Sequence, residues 1–256
     1  MRIVVKVGTS TLAHETGKLN IKRTGELCKV LSDLKNAGHE IILVSSGAIG
    51  MGVGKLGLSE KPKDIPTKQA AAAVGQCELM YTYDKAFTEY GHTVAQLLLT
   101  GSDFTAEDRH ENFNNTMTRL LELGALPIIN ENDTIATEEI KVGDNDTLSA
   151  LVAVSVKAEL LVILSDVDGL YSADPRKDEN AKLIERVNGM PENLFTLAGG
   201  EGSSLGTGGM KTKLSAAKLC IQSGVDMVIA NGKRPALLYD VIEGKPCGYT
   251  RFFCEE

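Results

Sequence analysis

Short runs of consecutive apolar residues alternate along the chain with longer stretches whose apolar positions recur at helical spacing. The runs at 3–7, 40–45, 93–99, 126–130, 160–165 and 225–230 are rich in Val, Ile and Leu and predict strands. Between them, 21–37 carries Ile21, Leu27, Val30, Leu31 and Leu34 near helical spacing, with Gly38 placed to stop the helix. The Ala-rich stretch 68–90 and the segments 112–124, 147–157, 210–224 and 235–243 predict further helices, and the tail beyond them an edge strand. Strands that are apolar throughout, instead of alternating, are covered on both faces, which means a mostly parallel sheet. The expected fold is therefore α/β, a three-layer αβα sandwich with a mostly parallel central sheet. Ligands of such sheets lie beyond the carboxyl ends of the strands, so the loops directly after strands are where chemistry is sought. The polar, irregular stretch 165–207 is a candidate division between two lobes.

Charge and composition narrow the partners. With 27 basic and 34 acidic residues the net charge is −7, whereas a nucleic-acid binder carries a basic excess. Six Phe, six Tyr and no Trp offer no stacking platform for single strands. A bound phosphate must instead be held by a few placed lysines and backbone N–H groups. The five cysteines include no C-x-x-C pair, and the four histidines show no metal-ligand spacing. Reduced thiols and no metal held by protein side chains are expected. Lys6 interrupts the short apolar N-terminal run, so no signal peptide is read there, and no apolar run approaches the ~20 residues of a membrane span. A cytoplasmic protein without nucleic-acid or membrane partners is the expectation.

Five segments carry candidate chemistry. Lys6-Val7-Gly8-Thr9-Ser10 puts a lysine inside an apolar strand. A buried ammonium needs an anionic partner, and Gly8 with the Thr9 and Ser10 amides can cradle phosphate oxygens. The alternative is an edge-strand lysine reaching water. Ser45-Ser46-Gly47-Ala48-Ile49-Gly50 offers N–H groups to an anion at a helix start, or is simply a tight turn. Asn130-Glu131-Asn132-Asp133, followed by Lys141-Val142-Gly143-Asp144-Asn145-Asp146, crowds carboxylates, amides and an ammonium more densely than capping and turns require, which favours a binding site. Ser165-Asp166-Val167-Asp168-Gly169 follows a buried strand and suits a ligand or an Asx-turn. Gly206-Thr207-Gly208-Gly209-Met210-Lys211-Thr212-Lys213 is a Gly-rich loop entering a helix, whose first-turn dipole favours a phosphate and disfavours Lys213 unless an anion is present. The G-x-G-x-x-G match at 52–57 lies past the strand end, the G-x-S-x-G match at 202–206 has no histidine after it, and no P-loop occurs.

Together, V-V-K-V-G-T-S, V-S-S-G-A-I, I-I-N-E-N-D, I-K-V-G-D-N-D, S-D-V-D-G-L-Y-S-A-D-P-R and G-T-G-G-M-K-T-K resemble the amino acid kinase family, in its order, across essentially the whole chain. I-K-V-G-D-N-D with the lysine loop is similar to the branch acting on glutamate. The resemblance implies the amino acid kinase fold as a single domain, 1–256, with an N-terminal lobe (about 1–157) on the amino-acid side and a C-terminal lobe (about 158–256) on the nucleotide side. It implies transfer of the γ-phosphoryl group of ATP to the L-glutamate γ-carboxylate, as the first step of proline biosynthesis. Other acceptors of the family (acetylglutamate, aspartate, carbamate, UMP) and a silent regulator are the rivals. Many members of the glutamate branch carry a C-terminal PUA domain; the chain ends at Glu256 and is expected to be a short form.

The same resemblance suggests roles. Lys6, Lys213 and Asp146 are the catalytic candidates, with Asp146 orienting the two ammoniums. Ser46, Gly47, Asp133 and Asn145 are expected to hold glutamate, with Lys141 and Asp144 beside them. Lys6, Gly8, Thr9, Ser165, Asp166 and the loop Thr207, Gly208, Gly209, Met210, Lys211, Thr212, Lys213 are expected to hold ATP, which brings its own Mg²⁺. A homodimer or tetramer, feedback inhibition by proline through the glutamate site and segment 50–68, and coupling to glutamyl phosphate reductase are further implications.

Overall fold

Each of the six apolar runs forms a strand within a residue or so of its expected place. The structure, a computed structural model, describes residues 1–14, 18–136, 145–175, 178–191, 194–195, 209–246 and 248–254. Strands β1 (Arg2–Val7), β2 (Glu40–Ser45), β3 (Val94–Leu99), β4 (Leu126–Glu131), β5 (Leu160–Ser165), β6 (Arg186–Asn188), β7 (Asp226–Asn231) and β8 (Tyr249–Phe253) form one sheet in the order β3-β4-β2-β1-β5-β7-β8-β6. Its pairings are parallel except β7 with β8. The mostly parallel sheet thus matches its apolar runs. The tail strand is not at the edge. β8 lies between β7 and the three-residue β6, which forms from a polar stretch too short for any periodicity to announce. Thr250 fixes this insertion: its hydroxyl donates to Ile184 O at 2.6 Å and accepts from Leu170 N at 2.8 Å.

Helices α1 (Thr9–Leu12), α2 (Ile21–Asn36), α3 (Ala48–Lys55), α4 (Ile65–Thr88), α5 (Ser102–Thr105), α6 (Glu107–Glu122), α7 (Asn145–Ser155), α8 (Met210–Gln222) and α9 (Leu237–Ile242) cover it. Alternate strand residues feed two cores, because successive side chains of a strand point to opposite faces. Ile3, Val5 and Val7 pack with Leu27 and Leu31 of α2, Leu79 and Tyr83 of α4, and Leu238 of α9. Val4, Ile42 and Ile163 pack with Phe113 of α6, Leu148 and Val152 of α7, and Leu214 of α8. The result is an αβα sandwich. Lys6 falls by this alternation on the α7–α8 face.

Local signals set the helix ends. Asn20 caps α2 by accepting from Arg23 N at 3.0 Å, and Gly38 beyond its end takes φ +94°. Asp64 caps α4, accepting from Thr67 N at 2.9 Å. α6 starts at Glu107, ahead of the expected 112, because Glu107 and Asp108 suit the positive end of the helix.

α3 and α4 meet backbone to backbone. A Cβ on Gly75 would lie 1.7 Å from Ala48 O, and one on Gly52 would lie 1.8 Å from Ala71 O. Gly75→Ala is therefore expected to destabilise the chain by about 1–3 kcal/mol through overpacking. Gly54→Ala, where nothing lies within 4 Å, is expected to change stability by under about 1 kcal/mol and in the stabilising direction. Urea unfolding of the two variants compares them directly.

Candidate active site

β1 is interior to the sheet, so Lys6 has no edge from which to reach water and is only 9% exposed. An ammonium so placed demands a counter-charge. Asp146, buried in the first turn of α7, supplies it: Lys6 Nζ lies 2.6 Å from Oδ1. Lys213, in the first turn of α8, brings its Nζ to 3.0 Å from Oδ2, and the Thr212 hydroxyl donates to the same oxygen at 3.0 Å. Burial pushes the Asp146 carboxyl up, but the ammoniums of Lys6 and Lys213 outweigh it and hold the group below its ordinary 3.8. Two ammoniums and one carboxylate give these three groups a net positive charge at the carboxyl ends of the strands. The face they present suits an anion.

The backbone beside them suits one as well. A Cβ on Gly8 would sit 3.6 Å from Lys6 Nζ, so glycine keeps the space over the ammonium clear. α8 starts at Gly209 without a capping side chain, which leaves its first N–H groups for a ligand. Thr9 and Lys211 are exposed, and Met210 is half-buried in the first turn of α8. Ser165, at the end of β5, donates to Asp166 Oδ1 at 3.1 Å, and Asp166 faces solvent. The neighbouring Asp168 accepts from Asn231 Nδ2 at 2.9 Å and from Tyr171 OH at 3.0 Å.

A second cluster flanks the first, because Asn145 immediately precedes Asp146. Asn145 Nδ2 donates to Ser46 Oγ at 2.6 Å and to Asn130 Oδ1 at 3.0 Å. Ser46 follows β2 and stands just before Gly47, whose φ of +111° turns the chain into α3. Asn130 Nδ2 in turn donates to Gln76 Oε1 at 3.0 Å. Gln76 and Asp133 line one small cavity with Ala48, Leu98, Glu131 and Thr134. The structure thus joins Lys6, Asp146, Thr212 and Lys213 in one cluster, and Ser46, Asn130 and Asn145 in an adjoining one. Lys141, Asp144, Thr207 and Gly208 lie outside the described residues. Among the described residues no group of three or more His, Cys, Asp or Glu is arranged to hold a metal ion.

Gln76 was not singled out from the sequence. The signal was present: it is a polar residue at a buried position of α4, in the stripe Ala72, Gln76, Leu79, Tyr83 and Phe87. The structural use of Thr212 was also missed, since its hydroxyl is turned onto Asp146. Ser45, beside Ser46, points the other way and shares a hydrogen bond with Tyr83 OH at 2.8 Å in the core.

Known proteins share both the sequence and the fold. The sequence pattern of the amino acid kinase family matches residues 1–231. The chain is 56% identical over 250 residues to the glutamate 5-kinase of Caldanaerobacter subterraneus subsp. tengcongensis, covering 98% of this chain and 67% of that protein. It is 56% identical over 246 residues to the glutamate 5-kinase of Clostridium tetani, covering 96% and 92%. Among solved structures, the carbamate kinase of Giardia lamblia bound to AMP-PNP superposes with a TM-score of 0.71 at 16% identity, covering 99% of this chain and 98% of that one. The UMP kinase of Ureaplasma parvum superposes with a TM-score of 0.67 at 17% identity, covering 98% of each. Sequence pattern, close relatives and sheet topology agree, and the chain belongs to the amino acid kinase family.

Proposed function

We propose that the chain transfers the γ-phosphoryl group of ATP to the side-chain carboxylate of L-glutamate, giving glutamyl 5-phosphate and ADP, the first step of proline biosynthesis. The observation that carries this reading is the pair of ammoniums, from strand β1 and helix α8, meeting on one buried carboxylate. The acceptor carboxylate, with a pKa near ~4.3, is already ionised at neutral pH, so no general base is required. The obstacle is the approach of one anion to another, which positioning and charge neutralisation overcome. A carboxylate oxygen forms a bond to the γ-phosphorus while the bond to the β–γ bridging oxygen breaks, and ADP leaves with that electron pair. Lys6 and Lys213 stabilise the charge on the transferring group and the leaving oxygen, and Asp146 aims both.

Gly8, Thr9, Ser165, Asp166 and Gly209–Lys213 hold the nucleotide. Mg²⁺ would arrive with ATP, held mainly by phosphate and water, and would supply charge neutralisation on the transferring group. Ser46, Gly47, Asn145 and Asp133 hold glutamate, with Asp133 facing its α-ammonium. Asp133→Ala is expected to raise the glutamate KM at least about tenfold, the loss of one charged hydrogen bond, and to leave ATP binding intact. Calorimetric titration of both ligands checks this, and equal loss of both would remove Asp133 from that role. Glutamyl phosphate is labile, so hydroxamate trapping with ATP and glutamate tests the reaction itself. Acetylglutamate, aspartate, carbamate and UMP serve as competing acceptors, and preference for any of them would overturn the assignment.

Proline, which shares the α-carboxylate of glutamate, acts as a feedback inhibitor through the glutamate site and segment 50–68; titrating proline into the assay up to millimolar concentration tests this. A homodimer or tetramer and coupling to glutamyl phosphate reductase complete the reading. Among the described residues, no helix is long and apolar enough to cross a membrane.

A further inference from the structure

The hydrogen bonds between Gln76 and Ser46 have a fixed direction, and one unambiguous donor sets it. A backbone N–H can only donate, and Glu131 N–H lies 2.9 Å from the side-chain oxygen of Asn130. That contact makes the Asn130 atom facing β4 its carbonyl oxygen, Oδ1. Asn145, meeting the same Oδ1 at 3.0 Å, must therefore present its Nδ2 there. The same Nδ2 also donates to Ser46 Oγ at 2.6 Å. Ser46 Oγ is thus an acceptor toward Asn145, and its own O–H is left to donate elsewhere. On its other side, Asn130 must offer Nδ2, which finds Gln76 Oε1 at 3.0 Å. Gln76 is only 7% exposed and Asn130 2%, so water does not readily substitute for either partner.

We infer that Gln76 is a positioning residue. By accepting from Asn130 Nδ2 it holds Asn130, and through it Asn145, in the direction that Glu131 N–H sets, so that Ser46 faces the substrate as a donor and Asn145 Oδ1 as an acceptor. Asn145 Oδ1 is buried and has no hydrogen-bond partner among the described residues. Such an atom waits for a donor, and the α-ammonium of the substrate can provide it. A hydroxyl directed as a donor favours a carboxylate and disfavours a carboxamide NH₂ in the same place. The relay therefore makes the site selective for glutamate over its neutral isostere glutamine. This inference rests on the glutamate reading above.

The test is a double-mutant cycle of Gln76→Met and Ser46→Ala in the full chain, with glutamine as the competing ligand. Gln76→Met is nearly isosteric and removes the acceptor, which strands the Asn130 amide. It is expected to raise the glutamate KM about tenfold, with kcat and ATP KM changed by less than about threefold. The ratio of glutamine Ki to glutamate KM falls in step. In the Ser46→Ala background the same change adds a smaller factor, because the hydroxyl it orients is gone and only Asn145 Oδ1 is left to position. Gln76→Leu removes the same acceptor and serves if the methionine variant does not fold. An equal effect of Gln76→Met in both backgrounds, or an unchanged glutamine-to-glutamate ratio, would overturn the relay while leaving glutamate turnover by the unaltered chain intact. Failure of the unaltered chain to phosphorylate glutamate would overturn the functional reading, and the relay with it.

Discussion

Lys213→Met is expected to lower kcat by about 10²-fold or more, the loss that follows removal of one preorganised charge-stabilising donor from an active site. Methionine keeps the length and apolar character of the stem and deletes only the charge. Asp146 retains Lys6 at 2.6 Å and the Thr212 hydroxyl at 3.0 Å, so the local fold has partners left to hold it. The loss is confined to the chemical step. Charge develops on the leaving oxygen in the transition state, whereas the glutamate site proposed above lies on the Ser46–Asn145 side. Glutamate KM is therefore expected to stay within about threefold, the pattern of an interaction made only in the transition state. Single-turnover measurement with hydroxamate trapping separates this from slowed product release. Near-normal turnover by the variant would remove Lys213 from the catalytic role.

Asp146→Asn has the larger expected effect on stability. It leaves the ammoniums of Lys6 and Lys213, each under a tenth exposed, facing a neutral amide whose NH₂ can only donate. Breaking a buried ion pair from one side costs about 3–5 kcal/mol, and urea unfolding reads it. The pH dependence follows from the direction of the Asp146 shift. Its folded pKa lies below the ordinary 3.8, so its stabilisation is fully present above that value and is lost as pH falls through the depressed folded pKa. The variant lacks this acid limb and unfolds with a flatter profile below pH 3.8. ATP offers a replacement anion, so it is expected to raise the melting temperature of the variant by more than that of the unaltered chain. Equal stability of the two proteins would show that the ammoniums do not depend on Asp146.

Much of the site was legible in the residue order, for a definable reason. An ammonium within an apolar strand and a lysine in a helix first turn both break local rules, and such exceptions fall at functional sites. Lys6 and Lys213 each demanded an anion from these rules alone. Gln76 broke a rule as well, but more quietly, since a single amide in an Ala-rich helix passes for an ordinary surface residue until its neighbours are known. The strand β6 broke none, and three residues carry no period to detect.

The apolar runs alone established a covered parallel sheet, because only strands buried on both faces are apolar throughout. Segment order along the chain also placed four of the five polar motifs at a strand end and the fifth at a helix start. Distances between residues far apart in sequence are another matter. That the counter-ion of Lys6 and Lys213 is Asp146, that Thr212 supports it, and that Gln76 reaches Ser46 through two amides arise from the packing of α4, α7 and α8 against the sheet. Hydrogen bonds and ion pairs act over a few ångströms, and only the folded chain brings groups 60 or more positions apart, such as Asp146 and Lys213, within that reach.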